Sequence, residues 1–297
     1  MLVLERGWLS ANNIVFIGRD ETAVVDTGYA LHSEQTLALI DTALGGRPLD
    51  MILNTHLHSD HCGGNAALQA RYSGVATRIP PGEASSVERW DEDGLSFRAT
   101  GQTCPRFRFE TLLQPGHEVV LGDIPWEVHA APGHDPHSVI LFEPRSRTLI
   151  SADALWENGF GVVFPELAGE PSFDEVAATL ELIEGLKPRR VIPGHGAVFD
   201  EAAVALRLAR TRLDAFVRNP IKHAWHAVKV LVKFKLLEAQ TISIEEWKSW
   251  VQQTPYIETI RGRFFPTSSL DDLTLEALAA LVKIGAASAS TEHIQNR

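Results

Sequence analysis

Between Asn54 and Asn65 the chain reads NTHLHSDHCGGN, and no other stretch constrains its fold so tightly. His56, His58, Asp60 and His61 fall within six residues. Imidazole and carboxylate are the ligands a borderline divalent ion such as zinc prefers. Met51-Ile52-Leu53, just before, reads as a short buried strand, and Gly63-Gly64 leads into a helix beginning at Asn65. The cluster therefore sits on a strand-to-helix loop, where a rigid scaffold carries chemistry. Four polar residues in a loop can also simply be solvated, but solvation explains neither their spacing nor their downstream partners.

A chain of 297 residues can bury a substantial core, as one large domain or two unequal ones. It has no apolar run long enough to span a bilayer, so no membrane association is expected. Glu5 and Arg6 interrupt the apolar N-terminus, which does not read as an export signal, and a cytoplasmic location is expected. Cys62 and Cys104 cannot make a disulfide framework, and Cys62 reads as a small buried thiol beneath the ligand loop. The net charge of −11 is unevenly spread: residues 1–200 hold 14 Lys+Arg against 28 Asp+Glu, and residues 201–297 hold 13 against 10. An acidic body repels polyanions, so nucleic acid is not the favoured partner, although the basic tail keeps that option open.

Three short strands are expected within residues 2–27, then a helix over 33–44, the ligand loop, a second helix and a strand at 75–77. Residues 80–105 read as irregular. Strand-like runs recur at 107–109, 118–121, 125–131, 138–142 and 148–151. A helix is expected over 172–184, with Ser172 and Glu175 as a capping box, then a strand at 190–192 and a helix from 200 to 217. Two halves, each strands followed by helices, suggest two sheets packed face to face with helices outside. After Pro220 the texture turns apolar-basic and helical. Residues 219–297 are expected to form a small, mostly helical, winged-helix-like domain beside a catalytic domain at 1–218, with 286–297 frayed.

Three further ligand types stand at the ends of expected strands: His134 in PGH, Asp153 in SAD and His195 in PGHG. With HLHSDH at 56–61, these motifs resemble the metallo-β-lactamase-fold superfamily over residues 1 to about 218. The resemblance implies an α/β, four-layer αββα sandwich with a metal site on one edge. It implies that His56, His58 and His134 bind one ion, that Asp60, His61 and His195 bind a second, and that Asp153 bridges the two. Asp26 matches the family's acid behind the ligand loop; an Asp before Thr27-Gly28 also suits a plain turn. The cofactors expected are two divalent ions, zinc first, with iron or manganese as alternatives.

Two such ions can share a hydroxide whose pKa falls towards ~7. That hydroxide would attack an acyl or phosphoryl centre, and Asp60 would orient it and pass its proton on as the catalytic residue. The form of the 55–65 motif is similar to glyoxalase II and other thioester or ester hydrolases, so a small ester, thioester or lactone is the expected substrate. Persulfide dioxygenases with one iron share much of the motif and are an alternative. Nuclease members with a C-terminal appendix are another; there Lys222, Lys229, Lys233 and Lys235 would form a phosphate-facing stripe, or else a solvated helix face. Trp156 stands where lactonases of the fold carry a tyrosine. Trp156 and His137 are the candidate pocket residues, although His137 can equally serve only to cover His134. The appendix can also roof the site or make a homodimer contact through Trp225, Trp247 and Trp250, residues most simply read as core.

Overall fold

The computed structural model describes residues 1–297. The first half builds a sheet from β1 (Leu2–Leu4), β2 (Asn13–Ile17), β3 (Thr22–Val25), β4 (Met51–Leu53), β5 (Ala76–Ile79) and β6 (Thr111–Leu112), laid side by side in chain order. β1, β2 and β3 pair antiparallel; β3 to β6 pair parallel. Parallel neighbours need crossovers, supplied by α1 (Ser33–Leu44), the one-turn α2 (Ser59–Cys62) and α3 (Asn65–Arg71), then α4 (Ala84–Arg89) and α5 (Phe97–Thr100). The second sheet orders β11-β10-β9-β8-β7, from β7 (Glu118–Leu121), β8 (Ile124–Ala130), β9 (Val139–Glu143), β10 (Thr148–Ala152) and β11 (Arg190–Pro193). After β10 come α6 (Phe164–Ala168) and α7 (Phe173–Leu186), and after β11 comes α8 (Ala202–Arg218).

The strands alternate as a two-sided sheet requires. Ile14 and Phe16 of β2 point between the sheets to meet Leu141 and Val139 of β9, while Val15 packs outward with Ile40 and Leu44 of α1. Likewise Ile140 and Phe142 turn outward against Leu180 of α7 and Leu206 of α8. The result is the expected αββα sandwich, its strand-end loops gathered along one edge.

Beyond Asn219 the chain forms α9 (Pro220–Ala239), β12 (Thr241–Ser243), α10 (Ile244–Gln253), α11 (Pro255–Phe264), α12 (Leu270–Lys283), β13 (Ala287–Ala289) and β14 (His293–Asn296). These elements share a core in which Trp247 and Trp250 are buried and Trp225 is partly so, which leaves the first two no surface for a dimer contact. The same core takes in Val162 and Leu167 from the sandwich. Tyr29 Oη donates to Glu238 Oε1 (2.6 Å), and the Tyr256 hydroxyl donates to the Phe164 carbonyl, tying α9 and α11 to the edge that carries the ligands. No helix is long and apolar enough to cross a membrane.

Several local expectations are corrected. Residues 80–105 are not irregular but fold into α4 and α5, and 107–109 is no strand: Phe107 turns inward to pack with Trp90 and Phe97. The 172–175 capping box does not form, because Ser172 lies at φ −127°, ψ −2° and Glu166 Oε2 instead accepts from the Ser172 (2.6 Å) and Phe173 (3.1 Å) amides. The last residues are not frayed; β14 pairs with both β12 and β13. Nor do the four lysines form one stripe. At ~100° per residue, Lys235 lies far round α9 from Lys222, and it pairs with Glu238 at 2.7 Å. Lys233 Nζ donates to the Ala286 and Arg297 carbonyls and to Asn296 Oδ1, pinning the terminal strand.

Candidate metal centre

The seven ligand-type residues come together along that edge. His56 and His58 lie in the turn between β4 and α2, and Asp60 and His61 lie on α2; His134, Asp153 and His195 follow β8, β10 and β11. His58 Nδ1 lies 3.1 Å from His56 Nε2 and 2.8 Å from His134 Nε2. Asp60 Oδ2 lies 3.1 Å from His195 Nε2. Asp153 stands between the two groups, 3.5 Å from His134 Nε2, 3.4 Å from His61 Nε2 and 3.8 Å from His195 Nε2. The donor atoms of His56, His58 and His134 all lie within 4.8 Å of one another, as do those of His56, His61 and Asp153, and those of Asp60, His61 and His195.

This donor set fits metal ions. Nitrogens each ~2.0–2.1 Å from a tetrahedral ion stand roughly 3.3 Å apart, close to the spacings among His56, His58 and His134. His61 Nε2, fully buried, has no hydrogen-bond partner in the protein and faces the same space, an omission a folded protein makes good with water or an ion.

The electrostatics sort the rings. Burial, then the charges of His61, His58 and His134, pushes His56 well below the usual imidazole range. Burial and then His58 take His134 down to about 4. Both are therefore neutral near pH 7, with lone pairs free. His61 goes the other way: burial opposes its charge, but Asp153 and Asp26 outweigh it and hold the ring well above its ordinary value. Burial works against ionised Asp153, yet His195 and His61 keep its carboxyl well below the usual range. Asp60 is lowered too, burial being overcome by the hydrogen bond from His195.

Behind the ligands, Asp26 closes β3 in a left-handed conformation (φ 56°). Its carboxylate accepts from Thr55 N (2.9 Å) and Thr55 Oγ1 (2.8 Å) and pairs with His61 Nδ1 at 2.8 Å. The geometry is more than a turn: it fixes the ring of His61 and the peptide before His56. His134 Nδ1 hydrogen-bonds the Val162 carbonyl at 2.6 Å. The adjacent amide, Val163 N, donates to His223 Nε2 of α9 at 3.1 Å, and Gly161 N donates to the Asp153 carbonyl at 2.9 Å. A side chain at Gly161 would stand 2.7–2.8 Å from two carbons of the His134 ring and closer still to Nδ1.

His58, Asp60, His134, Asp153 and His195 floor a cavity of about 490 Å³, with His56 and His61 fully buried behind them. Val162 and Phe164 form one wall, and Val230, Leu231 and Phe234 of α9 form its roof. Trp156 is in the wall, its Nε1 donating to Asp153 Oδ1 at 3.2 Å. His137 is outside this cavity, exposed in an adjoining recess, its ring over Gly82. Trp8 was not among the sequence candidates. It stacks on His195 (5.5 Å between centroids, 11° between planes) and meets Trp156 edge-on at 5.3 Å. Nothing near Trp8 in the chain announces this, since its partners are some 150 and 190 residues away.

The metallo-beta-lactamase superfamily model matches residues 6–195, a span holding every one of these ligands. The chain belongs to that superfamily. Its relatives include an acyl-coenzyme A thioesterase named MBLAC2 from Gallus gallus, 28% identical over 66% of this chain and 77% of that protein. A hydroxyacylglutathione hydrolase of Anaeromyxobacter dehalogenans (strain 2CP-C) is 32% identical over 70% of this chain and 69% of its own length. A solved structure described as being in a di-iron-bound form matches with TM-score 0.57 at 26% identity, over 71% of this chain and all of that one. This superfamily member is a metal-dependent hydrolase, and its histidine and aspartate groups suit a dinuclear site.

Proposed function

We propose that the chain hydrolyses a small acyl thioester or ester with two bound divalent ions. The observation that carries this reading is the three overlapping donor groups, joined through His56 and His61, whose remaining members line the floor of an apolar-walled cavity. His56, His58 and His134 would hold one ion, Asp60, His61 and His195 the other, and Asp153 both. Bound there, divalent ions supply Lewis acidity and a water of lowered pKa. The remaining work falls to the chain. Asp60, ionised and hydrogen-bonded by His195, is placed to orient the attacking water and carry its proton to the leaving group. Trp156 and Trp8 hold Asp153 and His195 and shield one side of the floor from bulk water. α9 closes the other side with apolar side chains that suit an acyl chain.

Two relatives are named for cleavage of acyl-sulfur compounds, which supports thioesters before lactones. The nuclease alternative has less support, since two of its four lysines, Lys233 and Lys235, are engaged within the C-terminal unit. Zinc, manganese and iron are all accommodated by this donor set, with zinc proposed first. The test is a panel of acyl-coenzyme A thioesters, acylglutathiones, lactones, β-lactams and oligonucleotides, run on the zinc, manganese and iron forms. Thioester or ester turnover that disappears in Asp60→Ala supports the proposal. Oligonucleotide cleavage without acyl hydrolysis overturns it, as does oxygen uptake on a persulfide by a one-iron form.

A further inference from the structure

Arg212, on α8, is a half-buried cation in the wall of the same cavity. Of the other arginines of α8, Arg210 pairs with Glu184 at 2.8 Å, Arg218 pairs with Asp214 at 3.8 Å, and Arg207 donates to the Ala203 carbonyl at 3.1 Å. Arg212 makes neither an ion pair nor a hydrogen bond. Asp60 and Asp153 on the floor and Glu157 at the rim share the cavity with it, but none lies within ion-pair distance. Its guanidinium instead sits close to Gly159, where a Cβ would come within 2.5 Å of Nη1 and 2.6 Å of Cζ. Beside it, His226 of α9 is pushed down to about 4, first by burial and then by Arg212, so it is neutral and can donate a hydrogen bond.

A half-buried guanidinium left without a carboxylate partner gains most from an anion that arrives with the ligand. The cavity is also lined by the apolar Val230, Leu231 and Phe234 and by the polar Asn158 and His226. The cavity thus has a ligand floor, an apolar wall and one cation without a carboxylate partner. We propose that Arg212 binds an oxyanion of the substrate, carboxylate or phosphate, remote from the acyl carbon that is cleaved. The preferred substrates are then anionic acyl thioesters or esters. This rests on the acyl-hydrolase reading and sharpens it. The anion can belong to the acyl end or to the leaving group, and both offer Arg212 the same chemistry.

The experiment compares three substrates on the zinc-loaded full chain: p-nitrophenyl butyrate, mono-p-nitrophenyl glutarate and butyryl-coenzyme A. Against the neutral ester, Arg212→Met should lower relative kcat/KM for one anionic substrate by about 10- to 100-fold, mainly through KM. Arg212→Lys should recover part of it. The substrate affected identifies where the anion lies. An anionic-to-neutral ratio within twofold of wild type for both substrates overturns the proposal, even if all rates fall, because Arg212 would then only support the turn at Gly159. Binding is read separately through the fluorescence of Trp8 and Trp156, titrating glutarate against butyrate and coenzyme A against pantetheine. If wild type hydrolyses none of the three substrates, the acyl-hydrolase reading fails. The anion site still stands if Arg212→Met removes the preference for glutarate or coenzyme A, and it falls if wild type shows no such preference.

Discussion

Gly161→Ala is the perturbation that probes the site most selectively. Gly161 does not have a positive φ, so alanine is acceptable to the backbone there. The cost is steric: the new methyl would sit 2.7–2.8 Å from Cε1 and Cγ of His134, against an ordinary contact of ~3.4–4 Å. Relief requires the ring or the 160–163 segment to move by roughly 1 Å, which breaks the 2.6 Å bond from His134 Nδ1 to Val162 O. Overpacking of this kind costs about 1–3 kcal/mol of stability, and losing an orienting partner costs a ligand about 10- to 100-fold in metal affinity. His61 and His195 have separate supports in Asp26 and Trp8, so the loss should fall on one of two binding steps. Competition titration with a chromophoric chelator resolves the steps, and a thermal melt reports the stability. Two unchanged metal affinities in a folded Gly161→Ala protein would refute the reasoning that the 160–163 segment positions His134.

Other outcomes follow from the same contacts. Asp26→Ala removes the partner of buried His61 Nδ1 and of Thr55 N; we expect about 1–3 kcal/mol lower stability and weakened binding of one metal, measured by melting and chelator competition. Unchanged values in both would sink the role given to Asp26. His223, buried and accepting from Val163 N, is depressed to about 3 by burial and then by the charge of His226. Because its folded pKa lies below the unfolded value of ~6.5, its contribution is complete above pH 6.5 and is lost as pH falls from there towards 3, at up to about 1.4 kcal/mol per pH unit. His223→Gln should flatten metal-free stability between pH 6.5 and 5 by close to one proton, and an identical slope in the variant would contradict it. Gly185→Ala, late in α7 with open space around it, should raise stability by up to about 1 kcal/mol without touching metal binding, and a weakened metal site in that variant would show that the chelator assay reads stability.

The parts of this molecule legible in its sequence are those written locally. HLHSDH, PGH, SAD and PGHG each carry ligands beside a strand end, and period-two patterns such as Ile14-Val15-Phe16 place the sandwich core. Asp26 was legible because it ends a strand just before the helix that leads to the loop. What escaped is written in long-range contacts. Trp8, Arg212 and Phe234 reach the cavity from three distant segments, and only the packing of α8 and α9 brings two of them there. Ser172 looked like a cap until Glu166, six residues back, supplied the acceptor. The terminal strands 287–289 and 293–296 contain little apolar pattern beyond Ile294, and they exist because Lys233 and β12 hold them.

Metal stoichiometry on the intact protein decides whether the site is dinuclear. The chain is loaded in turn with zinc, manganese and iron, freed of loose ions by gel filtration and analysed by plasma mass spectrometry beside His195→Ala. Wild type should hold two ions per chain with at least one of these metals, and the variant one. One ion or fewer per wild-type chain with all three, or two still held after loss of His195, would contradict the proposed ligand assignment.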